Sequence, residues 1–354
     1  MTIVSLFRLA LIISVATLVG WFGDRIEIPL PWIIGPMLVS TAVGLAGYGC
    51  GESLWIRRGA QIVVGTTVGH TLSASILFSL LSVLPFMIAA ALISILIAVL
   101  ASELLVRSAR LDRRTALLAN LPGGVAEMAF LGDGRAGAST AIALIQAMRV
   151  SSIVLVVPPL LTIFVNTGEP TLGYELGRGR FDWALGLILV LGWLGGLGLT
   201  RFGIKNAFVV SALSVSLADT IVGFPSATVP TVLFIAAQIS IGLALGARFR
   251  REDVLRLPRL LGIGLLLSLL TSVLIISTVL GAAVVFGLEL DLATMALAVA
   301  PGGIAEMVIT AAALGLGVPE VVMFQTVRII VVNILAGKVA DVWVRWRSSA
   351  VSSD

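Results

Sequence analysis

LPGGVAEMAF, residues 121–130, returns near the other end of the chain as APGGIAEMVI, residues 300–309. A proline removes a backbone donor and two glycines favour a break, so each stretch interrupts a helix. Unpaired backbone groups are costly in lipid, so such a break must be buried in protein or line a watery cavity. The residues after it, VAEMAF and IAEMVI, are good helix formers. A half-helix therefore starts at each, with its N–H groups and positive dipole end facing the break. Glu127 and Glu306 fall in the first turns of these half-helices.

Composition supplies the setting. The chain has 354 residues, 58% apolar and only 12% charged, with a mean hydropathy of +1.12. Soluble domains run at about a quarter charged. Uncharged runs such as 28–51, 183–200 and 260–288 each reach the roughly 18 residues that indicate a membrane-spanning helix. The fold class expected is an all-α polytopic membrane protein. A net charge of +4 could hint at nucleic acid, but Lys205 and Lys338 are the only lysines, and the arginines sit in short loops between apolar runs. That is the pattern of topology signals, so no nucleic-acid partner is expected. Cys50 is alone, which excludes an internal disulfide. SLFRLALIISVATLVGW (5–21) runs into Phe22 and Gly23 without a small-residue cleavage site, and reads as a retained first span.

The doubled motif belongs to a longer repeat. An offset of 179 relates Pro122 to Pro301, Gln146 to Gln325, Arg149 to Arg328, Asp112 to Asp291 and Thr115 to Thr294. QIVVGTTVG (61–69) resembles QISIGLALG (238–246) at 177, and GWFGDRIEI (20–28) aligns loosely with GLGLTRFGI (196–204) at 176. The expected organisation is membrane repeat 1 over 1–165, a non-cytoplasmic linker over 166–183, membrane repeat 2 over 184–343 and a cytoplasmic tail over 344–354.

Loop charge sets the orientation of the copies. In copy one the 24–27 loop is net −1 and the 70–75 turn has no formal charge. Arg57 and Arg58 precede the third segment, and Arg107, Arg110, Arg113 and Arg114 follow the fourth. Copy two reverses the bias. Arg201 and Lys205 fill its first loop and Asp219 its second; Arg248, Arg250, Arg251, Arg256 and Arg259 fill the third, and Glu289 and Asp291 the fourth. Arginine-rich short loops stay cytoplasmic, so the copies are inverted and each has an odd number of crossings. Segments near 3–22, 28–50, 59–79, 83–104 and 138–165 give five, with 115–131 as a re-entrant or broken element. Both termini are expected in the cytoplasm.

The residues expected to bind solute or ion are Pro122, Gly123, Gly124, Glu127, Gln146 and Arg149, with Pro301, Gly302, Gly303, Glu306, Gln325 and Arg328. An acid at membrane depth is a functional suspect, although a first-turn glutamate can simply cap its helix. Gln146 and Arg149, like Gln325 and Arg328, lie three apart and share a helix face. The arginines could grip an anion through a bidentate fork or neutralise Glu127 and Glu306 as ion pairs. Gly65-x-x-x-Gly69 and Gly242-x-x-x-Gly246 permit close helix packing. His70, the sole histidine, reads as incidental at a turn.

The duplicated PGG[VI]AEM, the downstream glutamine and arginine, and PWIIGPML (31–38) resemble the AbrB-duplication family of bacterial inner-membrane proteins, which share only a name with soluble DNA-binding AbrB regulators. NAFVVSAL (206–213) in copy two lacks the Gly-Pro of GPML. The resemblance implies the bacterial inner (plasma) membrane and brings two labels, regulator of gene expression and ammonia monooxygenase. Oxygen chemistry on copper or iron needs a cluster of His, Cys or carboxylate ligands. One histidine, one cysteine and two isolated acids do not make one, so no enzyme, metal or cofactor is expected. The function expected is secondary transport of a small anionic or zwitterionic solute, coupled to H+ or Na+; the alternative is a membrane-embedded regulator. A homodimer is left open.

Overall fold

The computed structural model describes residues 3–49, 54–72, 74–132, 138–164, 181–202, 206–222, 229–288 and 290–351. The described residues form helices and no strand. The first half contributes α1 (Ile3–Arg25), α2 (Pro31–Leu45), α3 (Leu54–Gly69), α4 (Ala74–Ser82), α5 (Leu84–Ala109), α6 (Arg113–Asn120), α7 (Val125–Leu131) and α8 (Ala138–Phe164). The second contributes α9 (Trp183–Arg201), α10 (Ala207–Val222), α11 (Thr231–Gly246), α12 (Arg251–Arg256), α13 (Pro258–Val285), α14 (Leu292–Val299), α15 (Ile304–Ala313) and α16 (Val318–Val351). Long and short helices alternate in the same order in both series. Among the described residues, seven stretches are long and apolar enough to cross a bilayer: those of α1, α5, α8, α9, α13 and α16, and α11 with its continuation into α12. They are compatible with a multi-pass membrane protein. The expected linker at 166–183 lies outside the described residues except for its last three, where Asp182 caps α9 by accepting from Trp183 N. Lys205 and Glu289 also lie outside them.

Two expected spans are shorter than the hydropathy suggested. The 28–50 segment holds a helix of 15 residues, Pro31–Leu45, about 22 Å long against a hydrocarbon core of about 30 Å. The 59–79 segment is divided, because α3 ends at Gly69 and the chain turns before α4. The end of α3 is closed locally: Thr71 Oγ1 donates to Val68 O at 2.8 Å, and Leu72 N donates to Gly69 O at 3.2 Å.

The chain forms two compact units, each drawn from both halves of the sequence. Unit 1 comprises Met1–Ser82, Val157–Arg250 and Ala305–Val321. Within it α2 packs on α11, and α3 packs on α10. These two pairs are equivalent under the repeat, so each copy supplies half of both contacts. Glycines permit the approach. A Cβ at Gly242 or Gly246 would run into the Ile33 or Met37 carbonyl of α2, and one at Gly65 or Gly69 into Val209 or Leu213 of α10. At the end of α3, His70 Nε2 lies 3.4 Å from Asp219 Oδ2 of α10. Burial pushes the imidazole below 6.5, outweighing the lift from the Asp219 carboxylate.

Unit 2 comprises Val83–Val156, Arg251–Ile304 and Val322–Asp354. Here α5 packs on α13 and α6 on α5. Leu105, Leu117, Leu118, Met128, Ile142 and Leu267 belong to one buried cluster. The matching helices α6 and α14 each start on an aspartate, which satisfies one of the orphan N–H groups of a first turn. Asp112 Oδ1 accepts from Thr115 N at 3.2 Å, and Asp291 Oδ2 from Thr294 N at 2.7 Å. Arg114, expected as a topology signal, ties α6 to Asp341 of α16 at 2.5 Å.

Gly242→Ala should lower stability by about 1–3 kcal/mol through overpacking, whereas Gly59→Ala, with nothing within 4 Å of its added Cβ, should not. Thermal unfolding in detergent reads the difference. The same assay should show a pH effect of His70. Its folded pKa lies below the unfolded 6.5, so the unfolded chain takes up the proton first and stability falls as pH drops through about 6.5. His70→Gln should remove that part of the dependence.

Candidate functional site

Each motif sits where a helix stops. The residue before a proline is driven out of the α region, and Leu121 (φ −59°, ψ 133°) and Ala300 (φ −54°, ψ 131°) are both extended. Helices α6 and α14 therefore end at Asn120 and Val299. Gly124 (φ −73°, ψ 134°) then serves as the N-cap residue of α7. A helix C-terminus leaves carbonyls without intrahelical donors and carries partial negative charge.

At the first break those carbonyls are met by side chains of α8. Gln146 Nε2 donates to Leu118 O at 2.9 Å and to Leu121 O at 3.2 Å. Arg149 Nη1 donates to Asn120 O at 3.0 Å and Leu121 O at 3.1 Å. Arg149 Nη2 donates to Gln146 Oε1 at 3.0 Å, which fixes the amide's orientation. Gln146 is 0% exposed and Arg149 2%.

The second break repeats this with α16. Gln325 Nε2 donates to Leu297 O at 3.3 Å and Ala300 O at 3.0 Å. Arg328 Nη1 donates to Val299 O at 3.4 Å and Ala300 O at 2.6 Å. Arg328 Nη2 donates to Gln325 Oε1 at 2.6 Å and to Gly302 O at 2.9 Å. The two arrangements differ at two donors: Nη2 reaches its own break's glycine carbonyl only at the second, and the Nε groups part ways. Arg149 Nε reaches across to the second break and donates to Pro301 O at 3.2 Å. Arg328 Nε is buried without a hydrogen-bond partner among the described residues.

The glutamates stand at the third residue of their helices. A Cβ on Gly124 would overlap Glu127 Oε2, so this carboxylate folds back over the N-cap glycine. That is the placement a capping glutamate takes. Glu306 is half-buried, and Arg248 and Arg57 act on its charge. Those two arginines, expected only as loop signals, were missed as site residues. Asn120 was missed as well; its Nδ2 donates to Ala98 O at 3.0 Å, tying the first break to α5. A buried asparagine immediately before Leu-Pro was the available signal. Of the expected residues, Pro122, Gly123, Gln146 and Arg149 gather at the first break, and Pro301, Gly302, Gly303, Gln325 and Arg328 at the second. Glu127 begins the helix after the first break, and Glu306 the helix after the second.

Arg149→Met should cost several kcal/mol in unfolding stability, at about 1.5–3 kcal/mol for each hydrogen bond to a charged group. Arg149→Lys should recover only part, since an ammonium cannot present a planar fork to two breaks. An Arg149→Met protein as stable as the parent in detergent would remove the brace from this account.

The chain is 26% identical over 353 residues to a Bacillus subtilis (strain 168) protein named "Uncharacterized protein YhjN", covering 90% of this chain and 89% of that protein. The motifs at 122–127 and 301–306 both lie inside the stretch matched by a family model. That model, described as "Transition state regulatory protein AbrB", matches residues 32–345, and the chain belongs to the AbrB family.

Proposed function

We propose that the protein is a secondary transporter of a small anionic or zwitterionic solute, and that it is not an enzyme. The observation that carries this reading is the unspent donor at the second break. Arg328 Nε has no hydrogen-bond partner among the described residues, in a residue that is 5% exposed. A buried donor without a partner costs about 1–3 kcal/mol, and a carboxylate or phosphate oxygen would satisfy it with a charge-assisted bond.

The architecture that goes with this reading is two inverted repeats of five spans, each with a broken Pro-Gly-Gly element, in the inner membrane with both termini cytoplasmic. Arginine bias in the loops supports it, as does the repeated order of helices. Inverted-repeat transporters place their solute near the midplane, at discontinuous helices. Glu127 and Glu306, in the first turns after the breaks, are the groups proposed to exchange a proton or sodium ion. Regulation of gene expression without transport draws support from the family's description alone.

Two measurements test the proposal. In a Cys50-substituted protein, single cysteines at residues 175 and 350 should label from opposite faces of the membrane; labelling from one face would end the inverted model. In proteoliposomes screened against metabolite pools, an ion gradient should drive uptake. Glu127→Gln or Glu306→Gln should leave the fold intact while abolishing the gradient dependence, because the amide keeps the shape and cannot change charge. Arg328→Gln should reduce uptake at least ten-fold, the loss expected for about 1.4 kcal/mol of charge-assisted binding. Unchanged gradient dependence in both glutamine variants would withdraw the coupling role.

A further inference from the structure

We propose that an anionic phospholipid binds in a groove of unit 1, with an acyl chain along α11 and its phosphate at Arg57. The groove has a volume of about 450 Å³ and is walled by α1, α3 and α11. Its apolar walls include Leu9 and Ile13 of α1, Ile56 of α3, and Ile235, Ile239 and Leu243 of α11. None of its lining residues belongs to the arginine-braced breaks.

Shape and polarity both favour a hydrocarbon chain. The lining positions of α11 and its C-cap run from Val232 to Ala247, about 22 Å of helix, which is most of the roughly 30 Å hydrocarbon thickness. The two hydroxyl groups in the wall are spent on their own helices. Thr17 Oγ1 donates to Ile13 O at 2.8 Å, and Ser240 Oγ donates to Ala236 O at 2.7 Å. A polar solute would find little to bind along this length.

Charge is confined to one end. Arg57 lines the groove, and α11 is followed directly by Arg248, Arg250 and Arg251. Arg57 and Arg248 both act on Glu306, so they share one neighbourhood at the Ala247 end. The opposite end, at Val232, follows the uncharged sequence VGFPSATVPT (222–231). One apolar channel with a guanidinium at a single end matches a lipid with a single anionic headgroup. A planar guanidinium takes two phosphate oxygens at once.

The test uses the full chain, stripped of lipid in neutral detergent, with native mass spectrometry to follow binding of phosphatidylglycerol and of phosphatidylcholine with the same acyl chains. Phosphatidylglycerol should bind about five-fold tighter for each arginine that reaches its phosphate. Arg57→Gln should reduce that preference about five-fold, weakening phosphatidylcholine binding less because its choline already offsets the phosphate charge. Ala236→Trp, placed on an exposed stretch of the wall, should reduce the binding of both lipids at least ten-fold. Because Arg57 also acts on Glu306, an Arg57→Gln protein that fails to fold leaves the decision to Ala236→Trp, which alters no charge. Equal binding of the two lipids by the parent protein overturns the proposal, as does lipid binding unaffected by Ala236→Trp. It is also overturned by a concentration-dependent dimer, free of lipid, that Ala236→Trp disperses, since the groove would then be an interface between copies.

Discussion

Two guanidinium groups hold the ends of two interrupted helices. A helix end presents carbonyls that nothing in its own backbone can satisfy, and a hydrocarbon surrounding offers no water in their place. A buried guanidinium has the opposite need: five donors, no acceptor and a charge that is expensive to bury. Arg149 and Arg328 bring these needs together, since each donates to the last carbonyls before a Pro-Gly-Gly. The cation also faces the negative end of the helix dipole. Remove either partner and the other becomes a buried fault. The proline at 122 therefore implies a donor as rich as the arginine at 149, and their common spacing in both copies follows from that need.

The repeat itself explains why the copies do not form separate bodies. Unit 1 rests on α2 against α11 and on α3 against α10, and each pair takes one helix from each copy. At both contacts the backbones approach until a single Cβ would strike a carbonyl. In lipid the hydrophobic effect gives helices little reason to associate, so close van der Waals contact between small residues has to supply it. A copy alone would expose the glycine face of α3 with no partner for it. The glycine pairs noted in the sequence thus decide the interleaving of the two halves, beyond packing two neighbours closely.

Much of this was legible in the sequence, and what was not shares one cause. The breaks, their first-turn glutamates and the facing Gln-x-x-Arg pairs all rest on residue types whose backbone preferences are strong and local, whereas Asp112 and Asp291 were noted only as repeat markers and not as caps. The partners of Arg149 and Arg328 are backbone carbonyls, which every residue carries, so no sequence pattern announces them. The expected choice between an anion and a glutamate left out this third kind of acceptor. Arg57 and Arg248 were hidden for a different reason: a short loop with arginines satisfies the topology rule, and nothing local shows that a loop arginine faces Glu306. The shortness of α2 and α3 was masked because hydropathy counts apolar residues without asking whether they stay helical.

Where the duplication is broken tells more than where it is kept. Asn120 aligns with Val299, so the tie to the preceding long helix through an amide of the break itself is, among the described residues, found at the first break. Arg149 spends its Nε on the opposite break, while that of Arg328 finds no partner among the described residues. His70 and Asp219 meet at the contact of α3 with α10, whereas the aligned residues, Ala247 and Val43, carry no charge. Each of these departures concerns a polar group in a setting where an unsatisfied polar group is costly. A duplicated scaffold needs only that each copy satisfy its own helix ends, which both arginines do. Differences beyond that requirement include the first break's tether and the second break's Nε. The two halves therefore provide one common brace and two chemically unequal ends, and an anion meeting both breaks would find its open donor on the second.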